Sequence, residues 1–349
     1  MSAMDEMGDA SKLPPAVLKR LGDPLAIVLG SPGQVGEMVA QCGVADTVCY
    51  QMDVYQAAKL RLELQVRSTK AEVVSLPDLW DLPDRFHCVL FPSQRGRERE
   101  LKIDMVEQAF HILQPRGRFL VLSDFETDRL FPDLMKKIFG KVHADTLTRP
   151  NVFWAEKLKD HPRRRHEQIF HARIGLGESL HFLSRPGVFS YGRMDEGARA
   201  LIEVAEVHPG DRVIDLGCGC GTNGIFAARS VGPTGHVTFV DSNVRALALA
   251  QHNAVTNGVA DFDTLASATA DELPSASYDV ALANPPYYAD LTIARAFVER
   301  CRRLLRPGGR FYLVSRRLDE MSNLVGAVFV NYQVFARRGY GVFFADVSN

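Results

Sequence analysis

The chain repeats itself at a spacing of 192 residues, from Leu113 to Leu305, and this repeat constrains the fold more than any other feature. Residues 113–123 read Leu-Gln-Pro-Arg-Gly-Arg-Phe-Leu-Val-Leu-Ser, and residues 305–315 read Leu-Arg-Pro-Gly-Gly-Arg-Phe-Tyr-Leu-Val-Ser. Residues 85–90 match residues 277–282 at the same spacing, and residues 26–30 resemble residues 213–217, where an apolar strand enters a glycine turn. Short apolar strands that alternate with helical segments predict two tandem α/β domains, each with a doubly wound parallel sheet.

The length of 349 residues suffices for two domains with separate cores, which we predict at residues 1–160 and 161–349. The polar, basic stretch 157–178 between them is predicted to be a linker or a surface segment. The first copy has lost the residues that chemistry requires: Val28, Pro32, Gln34 and Pro92 replace Asp215, Gly219, Gly221 and Asn284. We therefore expect a degenerate first domain that serves substrate recognition or stabilisation, with two unrelated α/β domains as the alternative.

Composition excludes several classes of protein. No apolar run is long enough to span a bilayer, and the first residues do not resemble a signal peptide, which predicts a cytoplasmic protein without a membrane partner. Six cysteines do not make a disulfide framework, and Cys218 and Cys220 are interpreted as small residues in a tight turn, so no metal site is predicted. The net charge of −1 gives no sign of nucleic-acid binding, although basic runs at 94–99 and 162–166 could contact phosphates.

A glycine-rich turn follows the strand at 213–216 and is the candidate cofactor site. Glycines let backbone N–H groups approach a ligand closely, and Asp241 at the end of the next strand can accept hydrogen bonds from two ribose hydroxyls. Residues 219–224 also fit the dinucleotide pattern G-x-G-x-x-G, so an NAD enzyme is the competing hypothesis. The carboxylate of Asp215 suits the cationic amino-acid end of S-adenosylmethionine, and this favours S-adenosylmethionine over NAD as the cofactor. The predicted cofactor residues are Asp215, Gly217, Gly219, Gly221 and Asp241.

The run Asn284-Pro285-Pro286-Tyr287 follows a buried-strand pattern and is the candidate catalytic element. An Asn carbonyl, a rigid Pro-Pro corner and an aromatic face can together hold a planar amino group. This run has no role in hydride transfer, so beside a nucleotide-type pocket it favours methyl transfer to nitrogen. The structural alternative is a strand that ends at two prolines, followed by a packed tyrosine.

The order and spacing of these two motifs resemble the class I S-adenosylmethionine-dependent methyltransferases that modify exocyclic amines. The resemblance implies that the Asn284 side-chain oxygen and the Pro285 carbonyl accept the two amine hydrogens, Pro286 fixes the turn and Tyr287 stacks on the substrate. It also places Asn284 beside the cofactor. Relatives usually have an acidic or amide residue near the adenine, where this chain has Ala268, and Thr269 lies next to it.

The segment 185–195, Arg-Pro-Gly-Val-Phe-Ser-Tyr-Gly-Arg-Met-Asp, narrows the resemblance. Together with the inert first copy, it is similar to the bacterial small-subunit ribosomal RNA guanine-N2 methyltransferases. That implies two Rossmann-like domains, S-adenosylmethionine as cofactor, and ribosomal RNA or the small ribosomal subunit as partner. The implied substrate contacts are Arg185, Phe189, Tyr191 and Tyr288, with Tyr287-Tyr288 standing where relatives commonly have Phe-His. A surface role for Arg185 and core packing of Phe189 are the alternatives.

Other functions stay open at the level of sequence. Adenine N6 in nucleic acid and a glutamine amide in a protein are acceptors of the same chemistry. A scaffold that binds RNA without catalysis is an alternative from a different class, although an intact Asp215, Asp241 and Asn284 argue against it.

Overall fold

The computed structural model describes residues 13–93, 96, 98–125, 127–147, 149–286 and 291–348. The chain divides into two compact units, Met1–His166 and Glu167–Asn349. Among the described residues, no helix is long and apolar enough to cross a membrane.

The first unit is built around a seven-stranded sheet with the strand order β3-β2-β1-β4-β5-β7-β6. Strands β1 to β5 are parallel, whereas β7 runs antiparallel to both β5 and β6. The elements in chain order are α1 (Pro15–Leu18), β1 (Leu25–Val28), α2 (Pro32–Cys42), β2 (Thr47–Gln51), α3 (Val54–Val66), β3 (Glu72–Ser75), β4 (Phe86–Ser93), α4 (Arg99–Ile112), β5 (Leu113–Ser123), α5 (Leu130–Phe139), β6 (His143–Asp145) and β7 (Asn151–Glu156).

The second unit opens with a two-stranded hairpin and then forms a seven-stranded sheet of the order β12-β11-β10-β13-β14-β16-β15. Its elements are β8 (Gln168–Ala172), β9 (Leu180–Ser184), α6 (Glu196–Val204), β10 (Arg212–Leu216), α7 (Thr222–Val231), β11 (His236–Asp241), α8 (Val244–Thr256), β12 (Phe262–Ala266), β13 (Tyr278–Ala283), α9 (Leu291–Leu304), β14 (Leu305–Ser315), α10 (Leu318–Gly326), β15 (Tyr332–Arg337) and β16 (Tyr340–Asp346).

The two sheets have the same strand order, which confirms the predicted fold class of two Rossmann-like domains. The correspondence extends to local irregularities. The pairing of β4 with β5 shifts register after Phe86, and the pairing of β13 with β14 shifts after Tyr278. Arg116 and Gly308, at equivalent places in β5 and β14, both have a left-handed backbone, with φ of 62° and 74°. Shared irregularities of this kind favour duplication over two unrelated domains.

Each sheet is covered by apolar helices on both faces, so its central strands are buried on both sides. All four residues of β1 are buried, as are all six of β13. This burial explains the nearly continuous apolar runs in the sequence, which are typical of parallel strands. In the second unit β10 lies between β11 and β13, so the strand order reverses there, and a crevice for ligands is expected at its carboxyl end.

The stretch predicted as a linker holds regular structure, and that part of the prediction is wrong. Strand β8 pairs antiparallel with β9. Phe170 and Ala172 are buried, and the Phe170 ring stacks on Phe182 with centroids 5.2 Å apart. The alternating Ile-Phe-His-Ala pattern is short and flanked by charges, so its strand character depends on the partner strand supplied by residues 180–184.

The backbone is closely packed near the start of β5 and of β14, and this predicts the same effect of a substitution in both units. A Cβ on Gly309 would lie 2.9 Å from the Arg306 carbonyl oxygen, and one on Gly117 would lie 2.9 Å from the Phe86 carbonyl oxygen. Since a backbone oxygen cannot rotate away, Gly309→Ala and Gly117→Ala should each lower the free energy of unfolding by about 1–3 kcal/mol. Urea unfolding monitored by circular dichroism measures the loss.

The control is Gly33→Ala within α2, because a Cβ there meets no atom within 4 Å. This variant should be stabilised by roughly 0.5–1 kcal/mol through its higher helix propensity. Equal unfolding midpoints for all three variants would contradict the packing described at β5 and β14.

Candidate active site

The turn that follows β10 places three glycines in the left-handed region. Gly217, Gly219 and Gly221 have φ of 72°, 55° and 88°. A Cβ on Gly217 would meet the Phe297 ring at 2.9 Å, whereas one on Gly219 would have no atom within 4 Å. The backbone at Gly219 therefore faces open space, next to the N-terminus of α7, where N–H groups can contact an anionic or polar ligand.

Asp215 lies beneath this turn and is fully buried. Its Oδ2 accepts a hydrogen bond of 2.8 Å from the Gly224 N–H, whereas its Oδ1 has no partner among the described residues. Burial raises the pKa of the carboxyl to about 7, the Gly224 hydrogen bond opposes this shift, and the nearby Asp241 charge adds to it. An unpaired buried carboxylate oxygen is costly, and a cationic ligand group would relieve that cost.

Asp241 holds the glycine turn against the end of β11. One carboxylate oxygen accepts from the Gly219 N–H at 2.9 Å, and the other accepts from the Asn243 N–H at 2.9 Å. The predicted ribose contact stays a prediction, and the structure adds a second role in ordering the turn.

Asn284 follows β13, and its amide is oriented by Asp195. The Asn284 Nδ2 donates to the Asp195 Oδ2 at 3.0 Å, and the same oxygen accepts from the Ala198 N–H at 2.8 Å, which caps α6. Because the amide nitrogen faces Asp195, the Asn284 Oδ1 is directed away from it and has no partner among the described residues. Pro285 is buried and Pro286 half-buried, whereas Tyr287 and Tyr288 lie outside the described residues.

A cleft brings the two motifs together. Four of the predicted site residues line this cleft, namely Gly217, Gly219, Asn284 and Phe189. Phe189 is 53% exposed, so it lies at the rim and the alternative of core packing is wrong. The other residues that line the cleft are Ser190, Arg193, Asp195, Ala198, Cys218, Cys220, Thr222 and Asn223.

Other predicted residues do not line this cleft. Arg185 is buried, with its Nε 3.8 Å from Glu167, so the expected surface position is wrong and little of the guanidinium is accessible to a phosphate. Tyr191 is half-buried. A Cβ on Gly221 would meet the Ala250 Cα at 3.1 Å, so this glycine permits close packing of the turn on α8.

Ala268 and Thr269 lie in the turn after β12, at the same sheet edge as Asp241. The Ser267 N–H donates to the Asp241 carbonyl oxygen at 3.1 Å, and the Ser267 hydroxyl accepts from the Thr269 N–H at 3.2 Å. The turn is thus ordered beside Asp241. The predicted adenine contacts at Ala268 and Thr269 stay predictions.

The sequence interpretation missed Asp195 and two residues that position the cleft. The buried Arg245 donates to the Pro186 carbonyl oxygen at 2.6 Å, and Asn243 donates to that of Gly187 at 2.8 Å. Both hold the segment before Phe189 against α8. The position of Asp195 before an amphipathic helix is a recognisable N-cap signal, whereas nothing in the pattern around Arg245 indicates its role.

The side chains of Cys218 and Cys220 are protonated thiols at neutral pH. Burial raises the pKa of Cys220 to about 12 and places the pKa of Cys218 well above its ordinary value. Both side chains are buried within the turn, in agreement with their interpretation as small residues in a crowded loop.

The raised pKa of Asp215 predicts how stability depends on pH in the absence of ligand. The pKa of this carboxyl is about 3.9 in the unfolded chain and higher in the folded chain. Its contribution to the free energy of unfolding is therefore fully present below pH ~4 and is lost as the pH rises through about 7. Asp215→Asn should remove this dependence on pH. The free energy of unfolding of the variant, relative to that of wild type, should increase by up to about 1.4 kcal/mol per pH unit between the two pKa values. Urea unfolding between pH 5 and 8 measures it.

Asp319→Asn, at an exposed carboxyl on α10, is the control and should leave the profile of the wild type unchanged. Parallel profiles for wild type and Asp215→Asn would show that the carboxyl titrates normally in the folded chain, and would contradict its burial without a second partner.

Residues 179–343 match the family described as the methyltransferase small domain. The ribosomal RNA small subunit methyltransferase C of Hahella chejuensis is 36% identical over 145 residues, which cover 40% of this chain and 41% of that protein. The enzyme of the same name from Pseudomonas syringae pv. syringae is 28% identical over 263 residues, which cover 73% of this chain and 72% of that protein.

Among solved structures, a T. thermophilus 16S rRNA N2 methyltransferase in complex with AdoMet and guanosine superposes with a TM-score of 0.76 at 25% identity. The superposition covers 95% of this chain and 91% of that one, so it includes both units. The glycine turn above a buried carboxylate, the domain match and this superposition agree, and residues 179–343 belong to the class I S-adenosylmethionine-dependent methyltransferases.

Proposed function

We propose that the chain transfers a methyl group from S-adenosylmethionine to N2 of a guanine in the RNA of the small ribosomal subunit. The observation that supports this most is the orientation of Asn284. Its amide nitrogen is held by Asp195, which leaves the amide oxygen for a substrate in the cleft that the glycine turn also lines. The partner is ribosomal RNA or the assembled small subunit, which places the reaction in the cytoplasm.

The residues of the turn fit the cofactor. When bound, S-adenosylmethionine supplies an electrophilic methyl group on a sulfonium centre. The unpaired Asp215 Oδ1 suits its cationic amino group, the open backbone at Gly219 suits close approach, and Asp241, at the end of β11, is the predicted contact of the ribose hydroxyls. Ala268 and Thr269 are the predicted neighbours of the adenine. A buried unpaired carboxylate has no role in binding a dinucleotide phosphate, which argues against the NAD alternative.

The acceptor side overcomes the poor nucleophilicity of an exocyclic amine, whose lone pair is delocalised into the ring. The Asn284 Oδ1 and the Pro285 carbonyl accept the two N–H hydrogens, so that the nitrogen lone pair can turn toward the methyl group. Pro286 restricts the backbone, which fixes the direction of both acceptors. Holding the amine in this orientation provides much of the rate enhancement, and the proton leaves after transfer.

The preference for a guanine in RNA derives from the comparisons and from the rim of the cleft. Two relatives bear the name of a small-subunit ribosomal RNA methyltransferase, and the solved relative was in complex with guanosine. The exposed Phe189 ring provides an apolar face for an unstacked base, and the exposed Arg193 beside it provides a charge for a phosphate.

Tyr191, Tyr287 and Tyr288 are predicted to stack on or border the base, and Arg185 is left out of the proposal because it is buried. The first unit is proposed to aid recognition or stability. Arg163 and Arg165 of its basic run are exposed, while residues 94, 95 and 97 of the other run lie outside the described part of the chain.

Transfer of tritiated methyl groups to total RNA, small subunits, DNA and protein, followed by nucleoside analysis, tests this function. N2-methylguanosine in small-subunit RNA is the expected product. N6-methyladenosine or labelled protein would assign the same site to another acceptor. Absence of transfer to every fraction, with no binding of S-adenosylmethionine, would favour the scaffold.

Substitutions at Asn284 and Asp195 separate catalysis from cofactor binding. Asn284→Ala should lower kcat by about 100-fold or more, by analogy with the loss of one oriented hydrogen-bonding group in an active site. The affinity for S-adenosylmethionine should stay unchanged, because Asp215 and the turn are intact. Single-turnover methyl transfer and calorimetry measure the two quantities.

Asp195→Ala should lower kcat to a smaller extent, since Asn284 is kept but its amide loses its orienting partner. It also removes the helix cap, at a cost of about 1 kcal/mol. Asp195→Asn supplies an oxygen for both hydrogen bonds and should restore most of the rate. Equal rates for Asp195→Ala and wild type would show that Asp195 does not orient Asn284 for catalysis. Full activity of Asn284→Ala would show that Asn284 is not the acceptor of the amine hydrogens.

A further inference from the structure

We propose that the first unit binds one divalent transition-metal ion, of which Zn²⁺ is the reference case, through Glu107, His111 and His161. One ligand atom from each residue lies within 4.8 Å of the other two. Two imidazoles and a carboxylate form a donor set that zinc and similar ions accept. This inference departs from the expectation, based on cysteine spacing, that the chain holds no metal, and it is independent of the proposed methyl transfer.

The three residues present unpaired atoms to one another. Glu107 is 3% exposed, and its Oε2 has no hydrogen-bond partner among the described residues. The Nε2 atoms of His111 and His161 are also buried without partners in that part of the chain. Each of these buried groups has given up water without gaining a hydrogen bond, which is unfavourable. One cation at the point where they converge would satisfy all three.

The tautomer of His161 supports ligation through Nε2. Its Nδ1 lies 3.0 Å from the Pro162 carbonyl oxygen, so Nδ1 bears the hydrogen and donates it to that oxygen. The Nε2 lone pair is then directed toward the cluster. A hydrogen bond from the second ring nitrogen to a backbone carbonyl is the usual arrangement for a histidine that binds a metal.

The fold brings the three ligands together from two segments. Glu107 and His111 are four residues apart on α4 and so lie on one face of the helix. His161 belongs to the segment that follows β7, and its ring stacks on Phe110 with centroids 4.1 Å apart and an interplanar angle of 21°. The edge of the His111 ring meets the His161 ring at 5.1 Å. The ion links this segment to α4 and thereby stabilises the first unit.

Two neighbouring cations are engaged elsewhere. Lys157 and Arg163 act electrostatically on His111. The Lys157 Nζ donates to the Leu113 carbonyl oxygen at 2.9 Å and pairs with Asp160 at 3.0 Å. The Arg163 guanidinium lies 5.6 Å from the centroid of the Trp80 ring. Neither side chain is hydrogen-bonded to Glu107, whose Oε2 stays available for an ion.

The cluster is specific to the first copy of the repeat. The equivalent positions on α9 are Glu299 and Arg303, and Arg303 donates to the Leu273 carbonyl oxygen at 2.9 Å. An arginine cannot bind a cation in this way. The degenerate copy therefore has a donor set that the copy with the glycine turn lacks.

Metal binding by the untagged full chain tests the proposal. After removal of bound metal with a chelator, Zn²⁺ alone is titrated in competition with a chromogenic chelator, and thermal unfolding is followed with and without Zn²⁺. We expect one equivalent per chain and a higher Tm with zinc. His161→Ala should weaken the affinity by at least about 10-fold and abolish the Tm shift.

The control is His87→Ala, at an exposed histidine elsewhere in the same unit, which should bind zinc as the wild type does. His111→Gln provides a second ligand variant in case His161→Ala fails to fold, as judged by circular dichroism. Binding well below one equivalent, or equal affinities in the ligand variants and the His87→Ala control, would overturn the proposal.

Discussion

The buried carboxylate of Asp215 is the interaction on which the site in the second unit depends. One of its oxygens is satisfied by the Gly224 N–H, and this requires a glycine, since a Cβ there would meet the Phe239 ring at 2.4 Å. The close packing of α7 on the sheet follows from that contact. The other oxygen is unpaired, so ionisation of this buried carboxyl is unfavourable, and a cationic ligand group would offset that cost. The strand registers place the apolar Ile27, also fully buried, at this position in the first copy, rather than the Val28 that the sequence predicted. The first copy therefore keeps the fold without an ionisable group there.

Side-chain hydrogen bonds assemble the rest of the site at the ends of neighbouring strands. Asp241 fixes the turn after β10 to the end of β11, and Asp195 fixes Asn284, after β13, to the start of α6. Because β10 lies between β11 and β13, the glycine turn and Asn284 meet at one edge of one sheet. Methyl transfer needs this proximity, since the donor and the nitrogen must share one cleft. Arg245 and Asn243 then hold the segment that leads to Phe189 at the rim.

Features that depend on local pattern were predictable from the sequence. The apolar strand predicted at 213–216 agrees with β10 to within one residue, and the repeat indicated two parallel sheets of the same kind. Asp215, Gly219 and Asn284 were recognisable because glycine spacing and the Asn-Pro-Pro run are local. Contacts between distant segments were not predictable. The hairpin of β8 and β9, the burial of Arg185 and the link from Asn284 to Asp195 all require partners that no local pattern specifies. The same reason hides the cluster around His161, whose ligands come from two segments of the chain.

Calorimetric titration with S-adenosylmethionine at pH 6, in two buffers of different ionisation enthalpy, tests the central claim most directly. With a pKa of about 7, Asp215 is largely protonated at this pH, so the proposed contact with the amino group of the cofactor requires it to ionise. The account predicts one equivalent bound per chain, with release of most of a proton in the wild type and of none in Asp215→Asn. No binding, or binding without proton release in either protein, would contradict it.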